Sequence, residues 1–145
     1  MKQKKSTLSI ELLDRFITQS AGYDVMRYVV LPELLGAEKD IILYFLGKEL
    51  AKKFQIERLT DLYTISVKLG WGKLELFQRK KRSITFTLMA DEIFRRLDSP
   101  LTLDFRLEAG FLAEALRQIE GVNCECVEKI NHNLYQVQFK VVFEK

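Results

Sequence analysis

LTLDFRLEAGFLAEALRQIEG, residues Leu101 to Gly121, carries apolar side chains at helical spacing on more than one side. Phe105, Ala109, Leu112, Leu116 and Ile119 form one stripe at steps of four and three, and Leu107, Phe111 and Ala115 form a second. A helix at a surface needs one such stripe, so two imply a sheet against one side and helices against the other. The segment reads as a buried core helix. Ser99 and Pro100 can start it, Asp104 is an equally good cap, and Gly121 stands where a left-handed residue closes a helix.

On the amino-terminal side the pattern is helical. Residues 1–6 are polar and basic and are expected to fray. A first helix is expected from Leu8, with Ile10, Leu13 and Ile17 on its apolar face and Gly22 as its stop. A second is capped by Asp24 and runs through Val25, Met26, Tyr28, Val29 and Val30 until Pro32, with a turn at Leu34 to Gly36. A third spans Glu38 to Phe54 and a fourth Thr60 to Leu69. Gly47 lies inside the third, where glycine costs about 1 kcal/mol against alanine, so a close approach of backbone or a bulky ring is expected there.

Gly70, Trp71 and Gly72 mark a change to strand period. Leu74 and Leu76, then Ile84, Phe86 and Leu88, alternate with polar residues on either side of Arg79 to Arg82, a hairpin with a cationic tip. A helical turn is expected from Asp91 to Leu97. Beyond the core helix, Cys124, Cys126 and Glu128 share one face of a third strand. Tyr135, Val137, Phe139, Val141 and Phe143 share one face of a fourth, and Asn131, His132 and Asn133 supply the turn between them. The fold class is therefore α+β: a four-stranded, mostly antiparallel sheet packed on one face by the core helix and an amino-terminal helical group, with residues 1–145 as a single domain.

Net charge is only +3, too little to imply a polyanionic partner by itself. The start MKQKKS resembles the basic end of a signal peptide, but Ser9, Glu11 and Asp14 interrupt the run that should follow, and no stretch approaches about 18 apolar residues. A cytoplasmic protein without a membrane span is expected. Cys124 and Cys126 are two apart on a strand, near the limit of disulfide reach.

Each constellation that could carry chemistry has a plainer reading. Cys124, Cys126 and His132 fall one ligand short of a structural zinc site, and a Cys-His nucleophilic pair lacks both an orienting acid and an oxyanion loop. Glu108 with Glu114, and Asp91 with Glu92, are not spaced to place two carboxylates on one helix face. Gly70-Trp71-Gly72 lacks the further glycines and the lysine of a phosphate loop. Arg79 to Arg82, with Lys2, Lys4 and Lys5, could meet phosphates, but no recognition helix or stacking array accompanies them, so nucleic acid is not the expected partner. No catalytic residue, cofactor or metal ligand is assigned.

Four clusters carry a family likeness: GYDVMRYVVLPELLG (Gly22 to Gly36), ILYFLGKELAKKF (Ile42 to Phe54), GWGKLEL (Gly70 to Leu76) and LEAGFLAEALRQIEG (Leu107 to Gly121). In these the chain resembles the YslB-like family of bacterial proteins, which belongs with four-vinyl-reductase-type domains and subunits of transport protein particle (TRAPP) tethering complexes. The resemblance implies helices on one face of an antiparallel sheet, pairing through the amino-terminal helices and, in some relatives, an apolar cavity; it implies no activity. Haem is not carried over, because His132 is the only histidine, nor is an acylated cysteine, because neither Cys124 nor Cys126 matches in position. Tyr44, Gly47, Trp71, Leu107, Gly110 and Phe111 are the candidates for an apolar pocket or a close packing. The second helix is apolar nearly all round except at Arg27, a surplus that a second copy of the chain can cover, so Leu13, Ile17, Val25, Val29 and Leu34 are the candidate dimer face. The expected role is a non-enzymatic interaction or scaffold module acting as a homodimer, with an unidentified protein partner. The alternative is a carrier or sensor of a small hydrophobic ligand beside the core helix.

Overall fold

The computed structural model describes residues 10, 20–89 and 102–144 of the chain. The expectations for residues 1–6, for Leu13 and Ile17, for the turn at Asp91 to Leu97 and for a start at Ser99 and Pro100 lie outside the described residues.

The amino-terminal helical region differs from the expectation at two points. Gly22 ends nothing: α1 (Ser20–Val25) runs into a π-helical turn (Met26–Val30) and then into α2 (Leu31–Leu35), so Asp24 is not a cap either. Pro32 sits in the first turn of α2 rather than beyond a stop. Proline has no N–H to give and its ring crowds the carbonyl four residues back. Here the wider π turn precedes it, with the Leu31 N–H bonded to the Met26 carbonyl, five residues back, and the helical path survives the proline. Gly36, at φ +70°, makes the real break. A 3₁₀ turn (Gly36–Glu38) leads into α3 (Lys39–Ala51), which finishes in tight i to i−3 bonds from Lys53 to Leu50 and from Phe54 to Ala51. In α4 (Leu59–Lys68) the Asp61 carboxylate accepts the N–H groups of Glu57 and Arg58, tying down the helix entry.

Strands β1 (Lys73–Arg79), β2 (Ser83–Met89), β3 (Cys124–Asn131) and β4 (Gln136–Phe143) form one antiparallel sheet in the order β1-β2-β4-β3. The central pair carries the apolar face: Ile84, Phe86 and Leu88 of β2 stand beside Val141, Phe139 and Val137 of β4, all buried. Lys140 and Val142, on the opposite face, are exposed. The register of β1 slips between Leu76 and Gln78, a bulge at Phe77 that leaves Leu76 half exposed where strict alternation would bury it.

Helix α5 (Arg106–Glu120) lies across β3 and β4 and is covered on its other side by α3. Nine consecutive residues, Glu108 to Leu116, are buried, as a helix enclosed between two layers must be. Its start is later than Leu101: Phe105 is the N-cap residue, and the Asp104 carboxylate accepts the Arg106 N–H at 3.1 Å. Gly121 closes it at φ +77°, its N–H on the Arg117 carbonyl.

Candidate functional site

The tightest place in the molecule is the crossing of α3 over α5. A Cβ placed on Gly47 would strike the Leu107 carbonyl oxygen and lie 2.8 Å from the Phe111 nitrogen. One on Gly110 would strike the Tyr44 carbonyl oxygen and lie 2.8 Å from the Tyr44 carbonyl carbon. Each helix therefore offers a glycine to the other's backbone, and five of the six pocket candidates, all but Trp71, meet there as contacting backbone. Phe111 points on into the core, edge to face with Trp71 at 5.2 Å and with Phe54 at 5.9 Å. Trp71 is held by the helix-to-strand joint, where its N–H and that of Gly72 both reach the Ser66 carbonyl and the Ser66 hydroxyl donates to the Gly72 carbonyl. The space enclosed by Trp71, Phe111, Leu112, Glu108 and Leu88 measures about 10 Å³, the lower limit for one water molecule.

Tyr44 does more than pack. Its hydroxyl donates to Glu125 at 2.5 Å and accepts the Cys126 N–H at 2.9 Å, so it occupies an edge donor of β3 that would otherwise be open to another strand. Lys48 and Arg106 lie over its ring at 4.9 and 4.5 Å. Burial, helped by the bond to Glu125, pushes the Tyr44 hydroxyl pKa far up. Burial also pushes the Glu125 carboxyl up, but the bonds from Tyr44 and Lys48 outweigh it and hold that group below the usual range.

A buried ionic cluster joins the amino-terminal helices to the entry of α5. Arg27 is 2% exposed; its guanidinium reaches Glu108 at 2.8 Å and Asp104 at 3.2 Å, and it lies 5.0 Å from the Tyr28 ring centre. Lys39, from α3, stands 3.8 Å from Asp104. Burial opposes the charge on Arg27, yet the two carboxylates more than compensate and keep it protonated. Glu108 is the deeper acid, and burial raises its pKa despite Arg27. Removing one member of such a group leaves an uncompensated buried charge, a loss of about 3–5 kcal/mol. The sequence held two signals for it: Asp104 and Glu108 are four residues apart, hence neighbours at the helix entry, and Arg27 is the lone cation in an apolar helix.

The same helix is inverted towards solvent. While Arg27 and Tyr28 turn inward, Val25, Met26, Val29, Val30 and Leu34 are exposed, Leu34 to 76%. Ile41 and Phe45, four apart on α3, are exposed as well. Of the five candidate dimer-face residues, Val25, Val29 and Leu34 thus lie at the surface.

Cys124 and Cys126 are free thiols buried on the inner face of β3. Burial raises the first to about 11 and the second well above its ordinary value, so neither is a ready nucleophile near neutral pH. His132 follows the far end of that strand, roughly 20 Å from Cys126 at 3.3 Å per residue. Among the described residues no three His, Cys, Asp or Glu side chains gather as a metal site, and no helix is long and apolar enough to cross a membrane.

Helices layered on one face of an antiparallel sheet define an α+β class, and this fold is also seen in a solved vinyl-4-reductase family protein from Methanocaldococcus jannaschii. The two structures agree with a TM-score of 0.66, covering 94% of this chain and 88% of that one, and at 16% identity the agreement concerns the fold alone. Within that class the chain belongs to the family described as "Protein of unknown function (DUF2507)", which matches residues 20–142. The Bacillus subtilis (strain 168) relative "Uncharacterized protein YslB" is 30% identical over 142 residues, 98% of this chain and 96% of its own. A more distant structural likeness, TM-score 0.45 at 12% identity, is to a trafficking protein particle complex subunit 3 from Naegleria fowleri covalently bound to palmitic acid; it covers 94% of this chain and 93% of that one.

Proposed function

We propose that the protein is a non-enzymatic interaction module that works as a homodimer, paired through the outward apolar residues Val25, Met26, Val29, Val30 and Leu34. The observation that carries this reading is the inverted helix: its one cation, Arg27, is buried while Val25, Met26, Val29, Val30 and Leu34 are exposed, the reverse of a helix whose outer face ends in water. A second copy is the simplest cover for such a surface, since a two-fold interface needs only one self-complementary patch. The carrier reading has less behind it: the apolar space between α5 and the sheet, beside Trp71, Leu88 and Phe139, is about 10 Å³, and the roomier hollow beside α5, about 190 Å³, is lined by charged Lys48, Glu114, Arg117, Glu125 and Glu144. The raised cysteine pKa values argue in the same direction against nucleophilic chemistry.

Light scattering coupled to size exclusion tests the pairing. The expected mass is twice that of the 17.0 kDa chain, and Val25→Asp combined with Val29→Asp is expected to halve it. A monomer at micromolar concentration refutes the dimer; a dimer indifferent to both substitutions removes this interface.

A further inference from the structure

The β1–β2 hairpin has features that neither the core nor the proposed dimer uses. Between Lys73 and Arg82 the chain carries five cations against Glu75 alone. Arg79 is tied to Glu120 at the end of α5, at 3.1 Å. Lys80, Lys81 and Arg82 are all exposed, and among the described residues none of them has an ion-pair partner. Their backbone is nevertheless fixed: the Lys80 N–H bonds the Ser83 carbonyl, and the Phe143 N–H bonds the Arg82 carbonyl. The charge is thus presented by a rigid turn.

Beside it stands a second, independent feature. β1 is an edge strand, and its register passes from Leu76 opposite Phe86 to Gln78 opposite Thr85, so Phe77 has no partner in β2. The bulge frees Phe77 from the pleat and leaves it 63% exposed, next to the half-exposed Leu76. A solvated tip needs cations but no projecting phenyl ring. A single-strand nucleic-acid site needs successive aromatic platforms along a groove. Here there is one ring, on a projecting edge, paired with an aliphatic side chain that has no face for a base. Apolar side chains projecting among unpaired cations suit the interface of a bilayer with anionic headgroups, where the cations meet phosphates and the apolar pair enters the boundary of the acyl region.

We infer that the β1–β2 hairpin is a peripheral membrane-docking element, in which Lys80, Lys81 and Arg82 bind an anionic lipid surface and Phe77 with Leu76 enters its interface. The test is vesicle flotation of the full chain. Binding is expected to phosphatidylglycerol–phosphatidylcholine vesicles and not to phosphatidylcholine alone, and to weaken as salt rises. Lys80→Gln with Lys81→Gln should lower the partition coefficient about 25-fold, at roughly fivefold per cation, and Phe77→Ser about tenfold. All three positions are exposed, so unchanged thermal melts are expected to show that folding is intact. Absence of flotation with the anionic vesicles, or equal flotation of the double variant and the parent, overturns the proposal. Displacement from the vesicles by a DNA oligonucleotide at equal phosphate concentration overturns it in favour of nucleic acid, and undiminished flotation of Phe77→Ser overturns the insertion of the ring.

Discussion

Replacing Gly110 by alanine tests the central packing directly, because propensity and packing give opposite signs. In an exposed helix interior the change stabilises by about 1 kcal/mol, since alanine loses less backbone freedom on folding. Here the new methyl group would strike the Tyr44 carbonyl oxygen and lie 2.8 and 3.1 Å from the Tyr44 carbonyl and α carbons. Comfortable carbon–carbon contact is about 3.5–4.0 Å, and the obstructing atoms are backbone, which cannot turn aside as a side chain can. α3 must therefore retreat by about 1 Å, and a gap of that size forfeits about a quarter to a half of the dispersion energy along the crossing. Overpacking of this kind costs about 1–3 kcal/mol; with backbone on both sides the upper end applies, and after the propensity gain a net loss of about 2 kcal/mol remains. Urea denaturation of Gly110→Ala is expected to show a lowered midpoint at unchanged slope, and a thermal melt a fall of about 6–8 °C. Gly47→Ala obstructs the same crossing from the other side, so the double variant should cost less than the two single costs together by at least about 0.5 kcal/mol, one retreat making room for both methyl groups. A midpoint unchanged or raised in Gly110→Ala refutes the crossing.

Two further substitutions separate the polar contributions. Glu108 has its folded-state pKa raised by burial, so the stability it contributes is present below the ordinary glutamate value of 4.5 and is lost as pH rises through the raised value. Glu108→Gln keeps the shape and an acceptor for Arg27, and is expected to flatten stability against pH in that window; a profile identical to the parent's contradicts the assignment. Tyr44→Phe leaves the ring between Lys48 and Arg106 but takes the hydroxyl from the Cys126 N–H, and is expected to cost about 1–2 kcal/mol in urea titrations. A loss below about 0.3 kcal/mol would mean that water serves that strand edge as well as the hydroxyl does.

Much of the fold was legible because its signals are local. The switch from helical to strand period at Gly70 to Gly72 and the double stripe on the core helix each follow from side chains close in sequence. Strand order is not local: the exchange that puts β4 between β2 and β3 is decided by which faces complete a common core, and alternation within one strand does not contain it. The stops assigned to Gly22 and Pro32 failed for a different reason. Both residues are weak helix formers, yet a π turn absorbed the proline, and tertiary contacts made by Arg27 and Tyr28 hold the segment regardless of propensity. Glycine inside an apolar helix draws attention to Gly47 and Gly110, whereas Tyr44 and Leu107 enter as candidates only with the family likeness, and the ionic cluster was missed because Glu108 was compared with Glu114 rather than with Asp104.

Arg27 shows why periodicity identifies a face without saying which way it points. A segment with apolar residues on nearly every side can roll about its axis at little cost, since one apolar stripe replaces another against the core. A guanidinium cannot roll with it. Its charge is paired by Asp104 and Glu108, and a rotation that takes it away leaves the buried Glu108 without that partner and Asp104 with the 3.8 Å contact to Lys39. In stability alone the cluster gains little over a well-packed leucine, because desolvation offsets most of the attraction. Its physical effect is directional: with Arg27 anchored at the entry of α5, Val25, Val29 and Leu34 have no way to turn inward. The outward apolar surface is therefore a consequence of the buried charge, and both would be lost together if the segment were free to choose its face.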